Sequence, residues 1–150
     1  MKKLTIAAAA AVALFAMGAS APMGSTMMMK PTIVPAGSIT WTPGTGQLPS
    51  TVGVAVLEGD PSKPGPFCIR LNMPDGTKFP AHYHNDTERI TVISGTFMAG
   101  IGSTYDATKM VALPAGSYVV LPAHLWHFAA SKGATIVQVN GSGPFVLETK

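Results

Sequence analysis

All four histidines of this chain lie in two short segments whose spacing is typical of a metal site. Two of them, His82 and His84, are followed by the carboxylate residue Glu88. The other two, His124 and His127, lie about 40 residues further along the chain. Imidazole and carboxylate groups together suit Zn, Fe, Mn, Cu or Ni, so the pattern predicts a transition-metal centre.

Strand geometry explains why this spacing favours one shared site. Residues i and i+2 of a strand project from the same face, so His82 and His84 point the same way. Glu88 lies far enough along for the chain to bend and return a carboxylate to the same place, whereas His127 must come from a different strand. Three imidazoles and one carboxylate hold a divalent ion and leave coordination positions open, as in catalytic rather than closed structural sites.

The elements that position these side chains are predicted to be short strands. From residue 33 onward, runs rich in β-branched and aromatic residues alternate with Gly- and Pro-containing turns, including a hairpin at Ser94-Gly95. A helical turn is predicted only at 104–110. The candidate strands are 33–41, 51–57, 67–73, 78–83, 89–93, 96–101, 111–113, 117–121, 126–130, 134–140 and 144–148. Many short strands at regular spacing predict an all-β sandwich or closed barrel.

The two histidine segments resemble the two conserved motifs of the cupin superfamily. The first segment matches the family pattern at every defining position, as Gly76-x5-His82-x-His84-x3-Glu88-x6-Gly95. In the second family pattern, G-x5-P-x-G-x2-H-x3-N, Gly116, Pro122 and His127 stand where expected. His124 replaces the usual glycine and Ser131 the usual asparagine. The resemblance covers about residues 50–147. The chain looks most like small, secreted single-domain cupins, which are related to the cupin domains of certain anti-sigma factors.

The resemblance implies an all-β, cupin-type double-stranded β-helix, a jelly-roll barrel of two facing antiparallel sheets around one metal ion. It implies that the metal ligands are His82, His84, Glu88 and His127. Because all four ligand positions are filled, the departures in the second motif leave metal binding intact. They leave open the conformation of the turn before His127, because His124 replaces the usual glycine there and a histidine with positive φ is uncommon.

Four further side chains are candidates for contacts around the ligands. His124 is either a base or alternative ligand near the cavity mouth, or a partly exposed turn residue. The second interpretation is favoured because the other three histidines complete the site. By alternation Gln138 is a candidate polar contact inside the barrel, and Arg70 and Tyr118 are candidates to reach the cavity. Each of these three is more often a surface or packing residue.

The N-terminus predicts an exported protein. Lys2 and Lys3 precede an apolar run over 4–17 that is shorter than the ~20 residues needed to span a bilayer. Residues 1–21 are therefore predicted to be a signal peptide, cleaved between 18 and 21. Residues 22–32 are predicted to be a Met-rich flexible leader, and residues 33–150 are predicted to be the barrel domain. We expect a periplasmic or extracellular protein with no stable membrane anchor after cleavage.

Composition narrows the classes of function. The chain has 150 residues, with 10 Lys and Arg against 7 Asp and Glu. Loss of Lys2 and Lys3 leaves 8 basic against 7 acidic residues, so the mature chain is nearly neutral. Its net charge therefore does not favour binding to nucleic acid. Cys68 is the only cysteine, which excludes an internal disulfide, and its alternating surroundings predict a buried small side chain.

Two hypotheses follow for the function. The first is a metal-dependent enzyme acting on a small molecule, and the cupin resemblance allows oxygenases, isomerases and lyases alike, with Zn, Mn, Fe or Cu as the metal. The second is a non-catalytic module that binds or senses a metal or small ligand.

The sequence also allows a homodimer. A strand at 33–41 that adds to the sheet edge of a second copy would produce one.

Overall fold

Over residues 30–150, alternating apolar and polar residues between Gly- and Pro-rich turns form nine strands. The computed structural model describes residues 30–150, so the predicted signal peptide and most of the Met-rich leader lie outside the described residues. The strands are β1 (Thr42–Pro43), β2 (Gly53–Glu58), β3 (Gly65–Met73), β4 (Lys78–His84), β5 (Glu88–Ile101), β6 (Val111–Pro114), β7 (Tyr118–Leu121), β8 (His127–Gly143) and β9 (Leu147–Thr149).

Antiparallel pairing joins the strands into one curled sheet that wraps around a cavity. The two longest strands, β5 and β8, pair along most of their lengths and belong to both halves of the sheet. One half has the order β7–β5–β8–β3–β2–β1, and the other has the order β6–β5–β8–β4–β9. The predicted all-β architecture of antiparallel sheets is confirmed.

Helical structure in the described part of the chain is limited to two 3-10 turns. The second, Ala107–Lys109, lies within the stretch for which a helical turn is predicted. Asp106 precedes it and its side chain accepts a hydrogen bond from the backbone N–H of Thr108 (3.0 Å), as capping residues do. Over residues 30–150, the chain forms no helix with the length and apolarity needed to cross a membrane.

β5 and β8 bend where they pass from one half of the sheet to the other. Gly95 in β5 and Gly133 in β8 have φ angles of 75° and 72°, and the pairing register shifts on either side of Ser94. The predicted hairpin at Ser94-Gly95 is wrong, because β5 continues through it and pairs with β8 on both sides. The local conformation is a bulge, which bends a strand without reversing it.

Residues 33–41 do not form the predicted strand. They contain the 3-10 turn Ala36–Ser38, and strand pairing begins only at β1. Apolar side chains favour a strand only where the backbone can pair with a sheet edge and the side chains can pack on a core. Ile33 is 82% exposed, so it does not pack on the core. The predicted edge strand is therefore absent from the described chain, and the homodimer stays a prediction.

The inner face of the curled sheet carries the core. Every second residue of β3, β5 and β8 points inward, and these positions hold large apolar side chains that are almost completely buried. They are Phe67, Ile69, Ile90, Val92, Phe97, Val137 and Val139. The buried apolar surface holds the two halves of the sheet together and leaves the space between them for a cavity.

Cys68 is buried, as its alternating surroundings predict. Desolvation is the largest cause that raises the pKa of its thiol. The thiolate is the reactive form of cysteine, so Cys68 acts as a small apolar side chain in this fold.

Candidate metal centre

Three histidines from two paired strands converge inside the curled sheet. His82 and His84 lie on β4, and His127 opens β8, where it is the direct partner of His82. Their ring centroids are 4.2 Å apart for His82 and His127, and 5.2 Å apart for His82 and His84. One ring nitrogen of each histidine lies within 4.8 Å of the other two. Strand alternation thus brings together the three imidazoles on which the sequence prediction rests.

Backbone carbonyls determine which ring nitrogen faces the centre. Each Nδ1 lies at hydrogen-bonding distance from a carbonyl oxygen: His82 from Pro80 (2.7 Å), His84 from Val146 (2.9 Å) and His127 from Leu125 (2.9 Å). A carbonyl only accepts, so Nδ1 carries the proton and donates, and Nε2 keeps its lone pair. Nε2 of His127 is buried and has no hydrogen-bond partner in the described part of the chain. The donor set therefore fits a metal ion, which would use the lone pairs that the protein leaves unpaired.

Burial keeps the imidazoles of His82 and His84 in the form that binds metal. All three side chains are buried. Desolvation is the largest cause that lowers the pKa of His82 to about 4, and it also lowers the pKa of His84. A neutral imidazole is the metal-binding form, so at neutral pH these two side chains are ready to bind an ion without losing a proton.

Glu88 places a carboxylate beside the cluster. It opens β5 and is buried, and its Oε2 lies 3.7 Å from Nε2 of His84 and 3.4 Å from Nε2 of His127. A carboxylate that faces neutral imidazoles has no compensating charge, which is costly in a buried place. A divalent ion between the four side chains would supply that charge. The assignment of all four as ligands stays a prediction.

A cavity of about 860 Å³ opens beside the cluster. Its walls come from the inner faces of β3, β5 and β8, and from residues 42–48, which precede β2. The three histidines and Glu88 form part of its lining. Cavities of roughly 300–1,000 Å³ are the size that holds small molecules, so the candidate centre borders a space of that class.

The whole barrel matches a known protein family. The family model described as Domain of unknown function (DUF4437) matches residues 43–149, which include both histidine segments and all nine strands except the first residue of β1. The chain belongs to this family. No curated protein matches the sequence.

Solved structures identify the fold of this DUF4437 protein as a cupin. KdgF from Halomonas sp. has a TM-score of 0.59 and 16% identity, over 75% of this chain and 94% of its own. A putative acetylacetone dioxygenase from Methylibium petroleiphilum PM1 has a TM-score of 0.61 and 18% identity, over 81% and 83%. An RmlC-like cupin from Ralstonia eutropha JMP134 has a TM-score of 0.60 and 21% identity, over 79% and 73%. The predicted cupin-type jelly-roll barrel is confirmed, and likeness at this identity shows the fold alone.

Three of the candidate contact residues lie on the outer face of the sheet. Arg70 and Gln138 are direct partners on β3 and β8, and Nε of Arg70 donates to Oε1 of Gln138 (3.2 Å). Tyr118 on β7 is 59% exposed. Val137 and Val139 line the cavity, so the side chain between them faces outward. The expectation that Gln138 points into the barrel, and that Arg70 and Tyr118 reach the cavity, is corrected by this alternation.

His124 lies on the turn that leads into β8 and does not join the cluster. Its φ is 62°, so histidine adopts the left-handed conformation that the usual glycine would adopt. Its backbone N–H donates to the carbonyl of His84 (2.8 Å), which ties the turn to the end of β4. Its exposed ring lies 5.5 Å from the ring of Tyr83, on the side of β4 opposite His82. The interpretation of His124 as an exposed turn residue agrees with this position.

Two residues near the centre are absent from the sequence prediction. Phe145 stacks on His84, with ring centroids 4.1 Å apart and an angle of 17° between the planes. Asn85 holds the segment before β9: its Nδ2 donates to the carbonyl of Pro144 (2.8 Å), and its Oδ1 accepts from the N–H of Val146 (2.8 Å). Val146 in turn supplies the carbonyl that orients His84. These contacts join residues about 60 positions apart, which no local spacing indicates.

Asn85→Ala is expected to weaken metal binding without removing a ligand. The substitution frees the segment that holds the carbonyl of Val146, so the His84 ring loses its fixed orientation. Loss of such an orienting partner typically costs about 10–100-fold in metal affinity. Zn(II) titration against a competing chelator measures the change. Asn72→Ala, on β3 and outside the cavity lining, is the matched control, and equal Zn(II) affinity of the two variants would contradict the role of Asn85.

Acid is expected to destabilise the metal-free protein in part through His82. The pKa of His82 in the folded protein is about 4, below its ordinary value of 6.5, so between these values the unfolded chain binds a proton that the folded chain does not. This destabilisation is absent above about pH 6.5 and grows as the pH falls toward 4. At pH 4.5 it lowers the free energy of unfolding by about 2 kcal/mol. Urea unfolding at pH 7 and pH 4.5 measures it. His82→Gln, which cannot take the proton, is expected to lose less stability, and an unchanged pH dependence in this variant would refute the assignment.

Proposed function

We propose that this protein binds one divalent transition metal through His82, His84, His127 and Glu88, and acts on a small molecule held in the adjoining cavity. The observation that supports the proposal most strongly is the orientation of the imidazoles. Every Nδ1 is paired with a backbone carbonyl, so the Nε2 lone pairs are left for an ion. A structural barrel without metal would have no use for buried lone pairs kept free in this way.

The proposed chemistry follows from the contents of the cavity. A bound divalent ion would polarise an oxygen of the captured molecule, or activate water or O2. Among the described residues that line the cavity, Glu88 and the three histidines are the only titratable side chains. If a protein group moves a proton to or from the bound molecule, Glu88 is the candidate, through whichever carboxylate oxygen would not bind the ion, since each imidazole is held by its Nδ1 hydrogen bond.

The reaction class is proposed as metal-dependent oxygenase, lyase or isomerase chemistry. The structural neighbours include a putative acetylacetone dioxygenase, a salicylate 1,2-dioxygenase and DMSP lyases. These neighbours support the proposal at the level of the fold, which hosts several reactions. The lining of the cavity supports it at the level of the site, because it has space for a substrate directly beside the candidate ligands.

The first experiment is metal analysis of protein purified from its native compartment. We expect about one equivalent of Zn, Mn, Fe or Cu per chain, and less than about a tenth of an equivalent of any transition metal would overturn the proposal. Oxygen uptake and product formation are then followed with small enols, phenols and thiols after loading with each metal. Stoichiometric metal with no turnover would favour the alternative function, a non-catalytic module that binds a metal or small ligand.

We also propose that the protein works outside the cytoplasm. The support is the sequence of residues 1–21, with two lysines before a short apolar run. Mass spectrometry of the mature N-terminus tests the proposal, with a first residue between 19 and 22 expected. A full-length chain that fractionates with the cytoplasm would contradict it.

A further inference from the structure

The cavity wall is apolar over most of its extent. Aliphatic and aromatic side chains from both halves of the sheet form it. The larger buried ones are Ile69, Phe79, Ile90, Phe97, Val137 and Val139. A wall of this kind favours an apolar body over a hydrated one, because apolar surface gains free energy when it leaves water.

Among the described residues that line the cavity, none is a lysine or arginine that could neutralise an anionic ligand. Glu88 is the only acidic residue of the lining, and the three histidines are neutral when they bind a metal. Arg70, on the neighbouring wall strand β3, is turned to the outer face, where it pairs with Gln138. The remaining polar side chains of the lining are Thr42, Thr45 and Gln47, all exposed, which places them at the mouth.

Charge balance limits what this cavity accepts. Three neutral imidazoles and one carboxylate around a divalent ion leave a net charge of one positive unit. One anionic oxygen, such as that of an enol or a phenol after it loses its proton, brings the buried site to neutrality. A second negative charge on the same molecule would lie against the apolar wall without a partner, and an unpaired buried charge is strongly unfavourable.

We propose that the cavity selects small, largely apolar molecules with one ionisable enol or phenol oxygen, and rejects molecules that carry an additional carboxylate or phosphate. The inference rests on the proposed function for the role of the metal. The wall, however, is formed by protein side chains that are apolar and, among the described residues, include no lysine or arginine. It therefore selects ligands by charge whether or not the ion is bound. Selection by the wall is therefore measurable separately from metal binding.

Matched ligand pairs test the proposal by isothermal titration calorimetry. With metal-free protein the pair is biphenyl-4-ol and biphenyl-4-carboxylate. With Zn-loaded protein the pair is 1-phenylbutane-1,3-dione and its para-carboxylated analogue. In each pair the carboxylate is expected to bind at least about tenfold more weakly. Equal or tighter binding of the carboxylates would overturn the proposal. A protein that retains no metal but still discriminates within the first pair would overturn the proposed function and leave the selectivity intact.

A cation placed at the cavity mouth gives the reciprocal test. Gln47→Lys introduces a positive charge into the lining, whereas Thr51→Lys introduces the same charge on an exposed residue outside the lining. Gln47→Lys is expected to tighten binding of biphenyl-4-carboxylate by about tenfold over the Thr51→Lys control, with little change for biphenyl-4-ol. Equal effects of the two lysines would show that overall charge, and not the cation-free lining, governs ligand choice.

Discussion

Replacing His127 with alanine is expected to abolish metal binding while the barrel stays folded. Metal content should fall from about one equivalent to below about a tenth, and the rise in melting temperature on adding Zn(II) should disappear. His127 lies at the centre of the cluster, where it is the direct strand partner of His82 and where its Nε2 is 3.4 Å from Oε2 of Glu88. Its removal takes away the buried nitrogen that has no hydrogen-bond partner among residues 30–150.

The barrel should tolerate the loss because His127 contributes little to folding in the metal-free state. Its side chain is buried and polar, and the core consists of separate apolar residues on the inner faces of β3, β5 and β8. The unfolding midpoint of metal-free His127→Ala in urea should therefore remain near that of the parent protein. Plasma emission spectrometry for the metal and urea titration for the fold measure the two effects independently.

His124 offers a matched control three residues away on the same turn. His124→Gly removes an imidazole but preserves the backbone, because glycine accepts the φ of 62° that this turn requires. We expect this variant to retain its full metal equivalent. If His127→Ala kept its metal, or if His124→Gly lost it as completely, the ligand assignment would be wrong.

The site could be predicted from the sequence to the extent that strand alternation determines it. On β4, side chains two residues apart share a face, so His82 and His84 point the same way. On β8, the apolar side chains that face inward determine which of the remaining side chains face outward. The same alternation applies to Gln138, which lies between inward-facing Val137 and Val139 and is therefore turned outward. The prediction that Gln138 faces the cavity uses alternation in the wrong phase, because a sequence pattern does not show which set of alternate residues faces the cavity, and the structure places Val137 and Val139 there.

Contacts between distant parts of the chain are what local patterns could not predict. Phe145 reaches His84 because β9 pairs with β4, and the register of that pairing depends on the whole barrel. Residues 33–41 have strand-like composition, but composition does not show whether a sheet edge is available, and strand pairing begins only at Thr42. The motif thus identifies the ligand candidates, whereas their supporting contacts emerge only from the tertiary structure.

The bend in β5 is expected to be highly sensitive to a single methyl group. At Gly95, φ is 75°, and an added Cβ would lie against the carbonyl oxygen of Ala134 and the Oγ1 of Thr135. Thr135 is fully buried and joins the two strands: its Oγ1 accepts from the N–H of Thr96 (3.1 Å) and donates to the carbonyl of Gly133 (3.0 Å). The methyl group would therefore strain the backbone and also push apart β5 and β8.

Gly133 separates these two costs, because its φ of 72° is nearly the same and an added Cβ would meet nothing within 4 Å. Gly133→Ala is expected to lose about 1 kcal/mol of unfolding free energy, from the unfavourable φ alone. Gly95→Ala is expected to lose about 3–5 kcal/mol, since overpacking and disruption of the Thr135 hydrogen bonds add to the same strain. Urea unfolding of both metal-free variants measures the difference. Equal stability of the two variants would show that the backbone conformation alone requires glycine at position 95. Close packing at the bend would then not be what holds the halves of the barrel in register.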